Sequence, residues 1–201
     1  MTSERQVIFV VLAAVVLLSS GCVHKQVMLT QKDIDAIPAY HAIKLTRIPQ
    51  NDDYSCATTS LAMIISYYQN LAEPLDKEYI WNLSGTDISR VRKYGNDISG
   101  LNAVAKKYQY AYSFEQNMTY DKLRYYISKN MPVIVFINFD ERHTHATLLT
   151  GYDKGKKIYF MTDPSSDETI MRESFLDNHW TAWLSNPRTD SFRAGYVLYK
   201  N

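Results

Sequence analysis

Glycine and cysteine are scarce in this chain, with seven Gly and two Cys among 201 residues. The glycines are Gly21, Gly85, Gly95, Gly100, Gly151, Gly155 and Gly195. No subset has the spacing of a phosphate-cradling loop or a dinucleotide turn, so the usual signatures of nucleotide chemistry are missing. An excess of one charge is missing as well. With 22 Lys+Arg against 21 Asp+Glu the formal net charge is +1, and no basic run exceeds a pair such as Lys156-Lys157. Nothing here would hold a nucleic acid backbone. Internal repeats, low-complexity tracts and Gly/Ser linkers are absent after Pro49. What is present is 46% hydrophobic residues, enough to build the core of one ordinary domain with a short appendage. Two cysteines could be one disulfide, a pair of metal ligands or two unrelated thiols, and composition does not choose among these.

Position does. From Val7 to Leu18 the chain reads VIFVVLAAVVLL, followed by Ser19-Ser20-Gly21-Cys22. That apolar run is too short to span a bilayer comfortably but fits the central region of a signal peptide. The small residues before Cys22 resemble a bacterial lipobox, which implies that residues 1–21 are removed, that Cys22 carries lipid, and that the body is exported and anchored to a membrane. By the same resemblance Val23 after the lipid cysteine favours the outer membrane in a Gram-negative host. An uncleaved signal anchor or an ordinary secretory signal remains the alternative, and either way the body is exported. If Cys22 is lipidated, no intrachain disulfide is possible, because the one thiol left is Cys56.

Residues 22–46, with Pro38, read as a tether ahead of a domain over 47–201. CATTSLAMIISYYQN (56–70) puts Leu61, Ile64, Ile65 and Tyr68 at helical spacing, with Asp53 and Ser55 as N-cap candidates, so Cys56 falls in the first turn. Further helices are expected over 99–108, 119–127 and, more weakly, 75–83. After Pro132 the pattern changes to short runs rich in β-branched and aromatic residues, at 133–139, 146–152, 157–163 and 194–200, with a hairpin turn at 153–156 and one more short helix over 172–180. Helices first and strands afterwards give an α+β fold, a helical part packed on an antiparallel sheet.

A lone Cys on an apolar helix is in most settings a small core residue. Here its surroundings favour chemistry. A helix N-terminus and a neighbouring imidazolium both stabilise thiolate, the attacking species. Gln50, six residues before Cys56, offers an amide that can donate to an oxyanion. His145 in HATLLTGY and Asp163 in TDP lie on runs joined by a hairpin, which can bring imidazole and carboxylate side by side.

Gln50, Cys56, the Leu61-Ala62-Met63 that follows, His145 six residues before Gly151, and Asp163-Pro164 together resemble the peptidase C39 family and its C39-like relatives, over roughly residues 47–200. The resemblance implies a papain-like fold and a cysteine peptidase acting on peptide or protein substrates. It also implies the roles: Cys56 as nucleophile, His145 as general base, Asp163 as its orienter and Gln50 as oxyanion donor. No cofactor is called for. Ala57 stands where the family usually has Gly, and Ala146 where an aromatic commonly follows the histidine. The double-glycine specificity of the best-known members is therefore not carried over. Two other readings use the same residues, namely a binding or assembly lipoprotein that keeps the fold without turnover, and transglutaminase-like acyl transfer.

Other residues carry weaker signals. His143 and His145 share a strand face near Asp140 and Glu141, but two histidines without a third ligand make poor evidence for a metal, and none is expected. His179, beside Trp180 and Trp183, reads as a surface or groove residue. The chain has 16 tyrosines. The groups Tyr67-Tyr68, Tyr108/Tyr110/Tyr112 and Tyr125-Tyr126 read as core edge before groove floor.

Overall fold

The computed structural model describes residues 27–94, 96–138, 144–185 and 189–200. Cys22, with the whole expected signal segment, and His143, Asp140 and Glu141 lie outside the described residues.

The helical part runs first. α1 (Gln31–Asp35) and β1 (Tyr40–Ala42) precede α2 (Cys56–Tyr68), α3 (Lys77–Ser84), α4 (Ile88–Tyr94), β2 (Asn96–Asp97) and α5 (Ile98–Lys107). Then come β3 (Tyr112–Glu115), α6 (Tyr120–Ser128), β4 (Val133–Asn138), β5 (Thr144–Asp153), β6 (Ile158–Thr162), β7 (Ile170–Arg172), α7 (Glu173–His179), β8 (Thr181–Ser185), β9 (Thr189–Phe192) and β10 (Gly195–Leu198). The main sheet has the order β3-β10-β4-β5-β6-β7, antiparallel throughout, and β1 pairs with β5 beyond the point where β4 begins. A small second sheet joins β2, β8 and β9. The α+β expectation and its antiparallel sheet are what the chain forms.

Period-two alternation gives this sheet two buried faces, which is why β4 reads as continuous VIVFI. On the first face Ile134, Phe136, Ala146 and Leu148 pack with Leu61, Ile64 and Ile65 of α2 and with residues of α3 and α5. On the second, Val133, Val135, Ile137 and Leu149 pack with Leu123 and Ile127 of α6 and Leu176 of α7. Helix α2 is buried on nearly its whole circumference. Thr58 Oγ1 donates to the Ser55 carbonyl and Ser66 Oγ to that of Ala62, while Ser60 Oγ is buried with no hydrogen-bond partner among the described residues. The helix stops at Tyr68, short of the expected Asn70. Asn70 takes a left-handed φ of 51°, with Leu71 N–H donating to Ser66 O and Asn70 N–H to Tyr67 O. α5 and α6 end the same way on Gln109 and Asn130, so three helix ends use amides in a role that glycine usually fills.

From Val27 onward the expected tether is built into the domain. Thr30 and Asp33 close a capping box on α1, β1 pairs with β5, and Ile37 and Ile43 are buried in the second-face core. The short polar helix α4 and the strands β1, β3, β7, β8 and β9 were not anticipated by apolar pattern.

One irregularity sets the site. Near the hairpin, β5 pairs with β6 as Tyr152↔Tyr159 and Gly151↔Phe160, but past Thr150 the register becomes Leu149↔Met161 and Leu148↔Thr162. Thr150 is thus an extra residue in β5, a bulge. Its carbonyl accepts from Ile43 N–H at 2.7 Å, so the continuation of β1 holds it.

Candidate active site

Residues 52–56 fold into a tight turn ahead of α2. Asp52 Oδ1 accepts from the N–H groups of Tyr54 (2.9 Å) and Ser55 (2.7 Å), and its Oδ2 from Ser55 Oγ (2.7 Å), with Lys77 Nζ 3.5 Å away. Burial raises the Asp52 carboxyl, but these N–H and hydroxyl donors outweigh it and hold the group below the usual carboxylate range. The expected capping pair is corrected here. Ser55 is the N-cap, yet its side chain makes no capping bond to the helix, and Asp53 is exposed and paired with Arg92 at 3.0 Å. Asp52 instead fixes the turn ahead of the helix, through Tyr54 and Ser55, without capping the helix itself. Cys56 follows as the first residue of α2, 5% exposed and in no disulfide. Its sulfur thus stands at the end of the helix that carries partial positive charge.

His145 lies one step into β5. Were the register at the hairpin to continue unbroken, Asp163 would face Leu148, on the opposite side of the sheet from His145. The bulge at Thr150 shifts the pairing by one, so that Asp163 comes opposite Thr147 and shares the face of His145. Pro164 then keeps Asp163 extended, because its ring disfavours a helical conformation in the residue before it. The outcome is a bond of 2.6 Å between His145 Nε2 and Asp163 Oδ2. The other carboxylate oxygen accepts from Ser165 N–H at 2.8 Å and Ser165 Oγ at 2.7 Å. The His145 side chain is also hydrogen-bonded to Cys56. With Nε2 on the carboxylate, Nδ1 is the nitrogen left to serve the sulfur.

The electrostatics follow from this chain of contacts. Burial pulls the His145 imidazole down, but the bonds to Asp163 and Cys56 and the negative charge on both partners push it up to about 10. Burial raises Asp163, which is 4% exposed, while the imidazole and the Ser165 hydroxyl lower it further, to about 2. An imidazolium poised between a carboxylate and a sulfur can stabilise a thiolate and later protonate a leaving group.

Gln50 is the fourth expected residue. Its Nε2 donates to Asp52 O at 2.7 Å, leaving the second amide hydrogen available, and its Oε1 is buried without a hydrogen-bond partner among the described residues. Its backbone N–H donates to Pro164 O at 2.8 Å, which ties the segment before Cys56 to the segment after Asp163. Beside the dyad opens a cavity of about 510 Å³ with Met161, Met171 and Phe175 as apolar wall and His145, Asp163 and Ser165 along one side.

The sequence model of the Peptidase_C39 like family matches residues 42–186. The chain belongs to that family. Among solved structures, this C39-like chain is similar to a Bacillus anthracis protein described as a C39-like peptidase, at 15% identity and TM-score 0.60, covering 81% of this chain and 98% of that one. It is similar to a double glycine motif protease from an AMS/PCAT transporter, solved in complex with the leader peptide, at 17% identity and TM-score 0.55, with coverage of 80% and 95%. A third is xylellain, a cysteine protease from Xylella fastidiosa, at 12% identity and TM-score 0.54, with coverage of 88% and 91%. No curated protein matches the chain in sequence. At these identities the structures establish the fold.

Tyr68, Tyr110, Tyr112 and Tyr126 are buried at the core edge, Tyr68 donating through its hydroxyl to Leu198 O at 2.7 Å. His179 stacks on Phe175 with ring centroids 4.1 Å apart, its Nδ1 2.9 Å from the Phe175 carbonyl. Among the described residues no cluster of three or more His, Cys, Asp or Glu could hold a metal, and no helix is long and apolar enough to cross a membrane. Sequence reading missed Asp52, Ser165 and Arg47. Asp-Pro-Ser is a recognisable Asx-turn pattern that would have revealed Ser165, and Asp52 competes with Asp53 for the same capping signal.

Proposed function

We propose that this protein is a cysteine peptidase that hydrolyses peptide or protein substrates through Cys56. The observation that carries the reading is His145 held between Asp163 and the sulfur at the start of α2. The thiolate attacks the carbonyl carbon of the scissile amide, and the resulting oxyanion takes the second Nε2–H of Gln50. His145 gives its proton to the departing amine, leaving a thioester on Cys56. Water then attacks that thioester as His145 takes its proton, and the acid product leaves with the enzyme restored. Asp163 keeps Nε2 occupied and the ring oriented throughout. Support for a peptide substrate comes from the leader peptide bound to the related transporter protease.

We propose further that Cys22 is lipidated after removal of residues 1–21, so that the peptidase works on the outer side of a bacterial inner membrane or at the outer membrane. Metabolic labelling with a palmitate analogue, lost in Cys22→Ala, tests the anchor. For the chemistry, a peptide pool is digested with wild-type and Cys56→Ala protein, with and without added amine. Cleavage dependent on Cys56 supports hydrolysis, and amine-linked products would replace it with acyl transfer. An iodoacetamide rate that tracks an ordinary thiol pKa of about 8.5 would argue against an activated cysteine altogether.

A further inference from the structure

Two segments of the candidate site lie far apart in sequence, residues 50–56 and residues 163–165. The side chain of Arg47 lies across their junction. Its Nε donates to Asp163 O at 2.6 Å, one terminal nitrogen to Pro164 O at 3.2 Å, and the other to Asp167 Oδ1 at 2.7 Å. The Pro164 carbonyl also accepts from Gln50 N–H at 2.8 Å, so both of its lone pairs are engaged, one from each end of Arg47-Ile48-Pro49-Gln50. Ile48 is buried in the core against α2, and Pro49 fixes φ in the link, so this short segment has little freedom of its own. A planar guanidinium fork can hold two successive carbonyls at once, which an ammonium cannot do in the same plane. Asp167 is 94% exposed on its side chain, so that ion pair contributes little and the two carbonyl bonds are the anchoring contacts.

We propose that Arg47 is a positioning residue for the chemistry at Cys56, locking the Asp163-Pro164 backbone to the segment that carries Gln50 so that the carboxylate behind His145 and the amide donor keep one fixed geometry. Arg47 donates its hydrogen bonds to Asp163 O, Pro164 O and Asp167 Oδ1. It acts through the two backbones it joins, a role that the family resemblance does not assign to it. The proposal rests on the peptidase reading above, and the test separates the two.

Full-length wild type, Arg47→Met, Arg47→Lys and Asp167→Ala are compared in the peptide assay, together with the NMR signal of the His145 Nε2–H. Arg47→Met is expected to lower kcat about tenfold to a hundredfold, as misplacement of reacting groups by about 1 Å does, while KM moves by less than about threefold. Arg47→Lys should fall between that variant and wild type. Arg47 keeps 32% of its side chain exposed, so millimolar guanidinium can enter the vacated space and should restore part of the lost kcat in Arg47→Met. Asp167→Ala should stay within about twofold of wild type. The His145 Nε2–H signal should shift or broaden in Arg47→Met and remain in place in Asp167→Ala. An unchanged kcat and an unchanged His145 signal in Arg47→Met would overturn the proposal, as would an Asp167→Ala loss equal to that of Arg47→Met. If wild type shows no turnover, the peptidase reading fails, and the His145 signal in Arg47→Met still decides whether Arg47 positions the dyad.

Discussion

Gly151 of β5 and His41 of β1 approach so closely that a Cβ on Gly151 would stand 2.6 Å from the His41 carbonyl oxygen, and equally close to Phe160 Cδ2. Backbone on one side and an aromatic ring on the other leave no room for a methyl group. The contact lies next to the Thr150 bulge, which sets the register that brings Asp163 to His145. Gly151→Ala is expected to destabilise the domain by about 1–3 kcal/mol through overpacking. Urea denaturation measures this, and loss of the His145 Nε2–H signal at temperatures where the variant is still folded would show the register disturbed as well.

The dyad gives stability a defined dependence on pH. His145 is raised from 6.5 to about 10, so its contribution is complete below about pH 6.5 and disappears as pH rises through about 10. Asp163 is lowered from 3.8 to about 2, so its contribution is complete above about pH 3.8 and disappears as pH falls through about 2. The stability advantage of wild type over Asp163→Asn should therefore be greatest between these limits, about pH 4 to 6.5, and shrink in alkali as the imidazolium is lost. Urea midpoints of both proteins at pH 3, 5, 8 and 10 check this, and a pH-independent difference would contradict the ion pair.

His145 should also report on the sulfur. Cys56→Ala removes a hydrogen bond and a charge that raise the imidazole, while Asp163→Asn removes the hydrogen bond that raises it most. Both variants should move the His145 titration toward the ordinary range, as followed by its Cε1–H shift in NMR. A histidine that titrates identically in wild type and Cys56→Ala would mean that the two side chains are not coupled.

Asn70 offers a test away from the site. It is exposed and ends α2 in the left-handed region, which for a residue with a Cβ costs about 1–2 kcal/mol relative to the right-handed form. Asn70→Gly should recover part of that, raising stability by up to about 1 kcal/mol with an unchanged denaturant slope and unchanged turnover.

How much of this was legible in the sequence depends on which interaction decides each element. Helix α2 and strands β4 and β5 are dictated by burial, and burial writes a period into the chain that Leu61, Ile64 and Ile65, or the run VIVFI, make plain. β3 hides its character because it buries Glu115, which bonds with Lys122 and Tyr126 rather than showing an apolar alternation. β1 and β7 are three-residue pairings at the margins of the sheet, too short for any period to declare itself. The dyad was legible because hairpin topology limits where His145 and Asp163 can lie, yet the bulge that puts them on one face was not, since Thr150 looks like any other strand residue. Arg47 bonds to main-chain carbonyls, and a carbonyl leaves no mark in the amino-acid code.

The Thr150 bulge makes the candidate site a matter of odd and even. Residues added at the hairpin tip, between Asp153 and Ile158, alter the loop and leave every later pairing in place, so this tip is where a tag or a grafted peptide should be tolerated. A single residue inserted between Ala146 and Leu149 would instead count against the sheet's parity and turn His145 away from Asp163. Length variation in this hairpin is expected to be neutral at one end and to part His145 from Asp163 at the other.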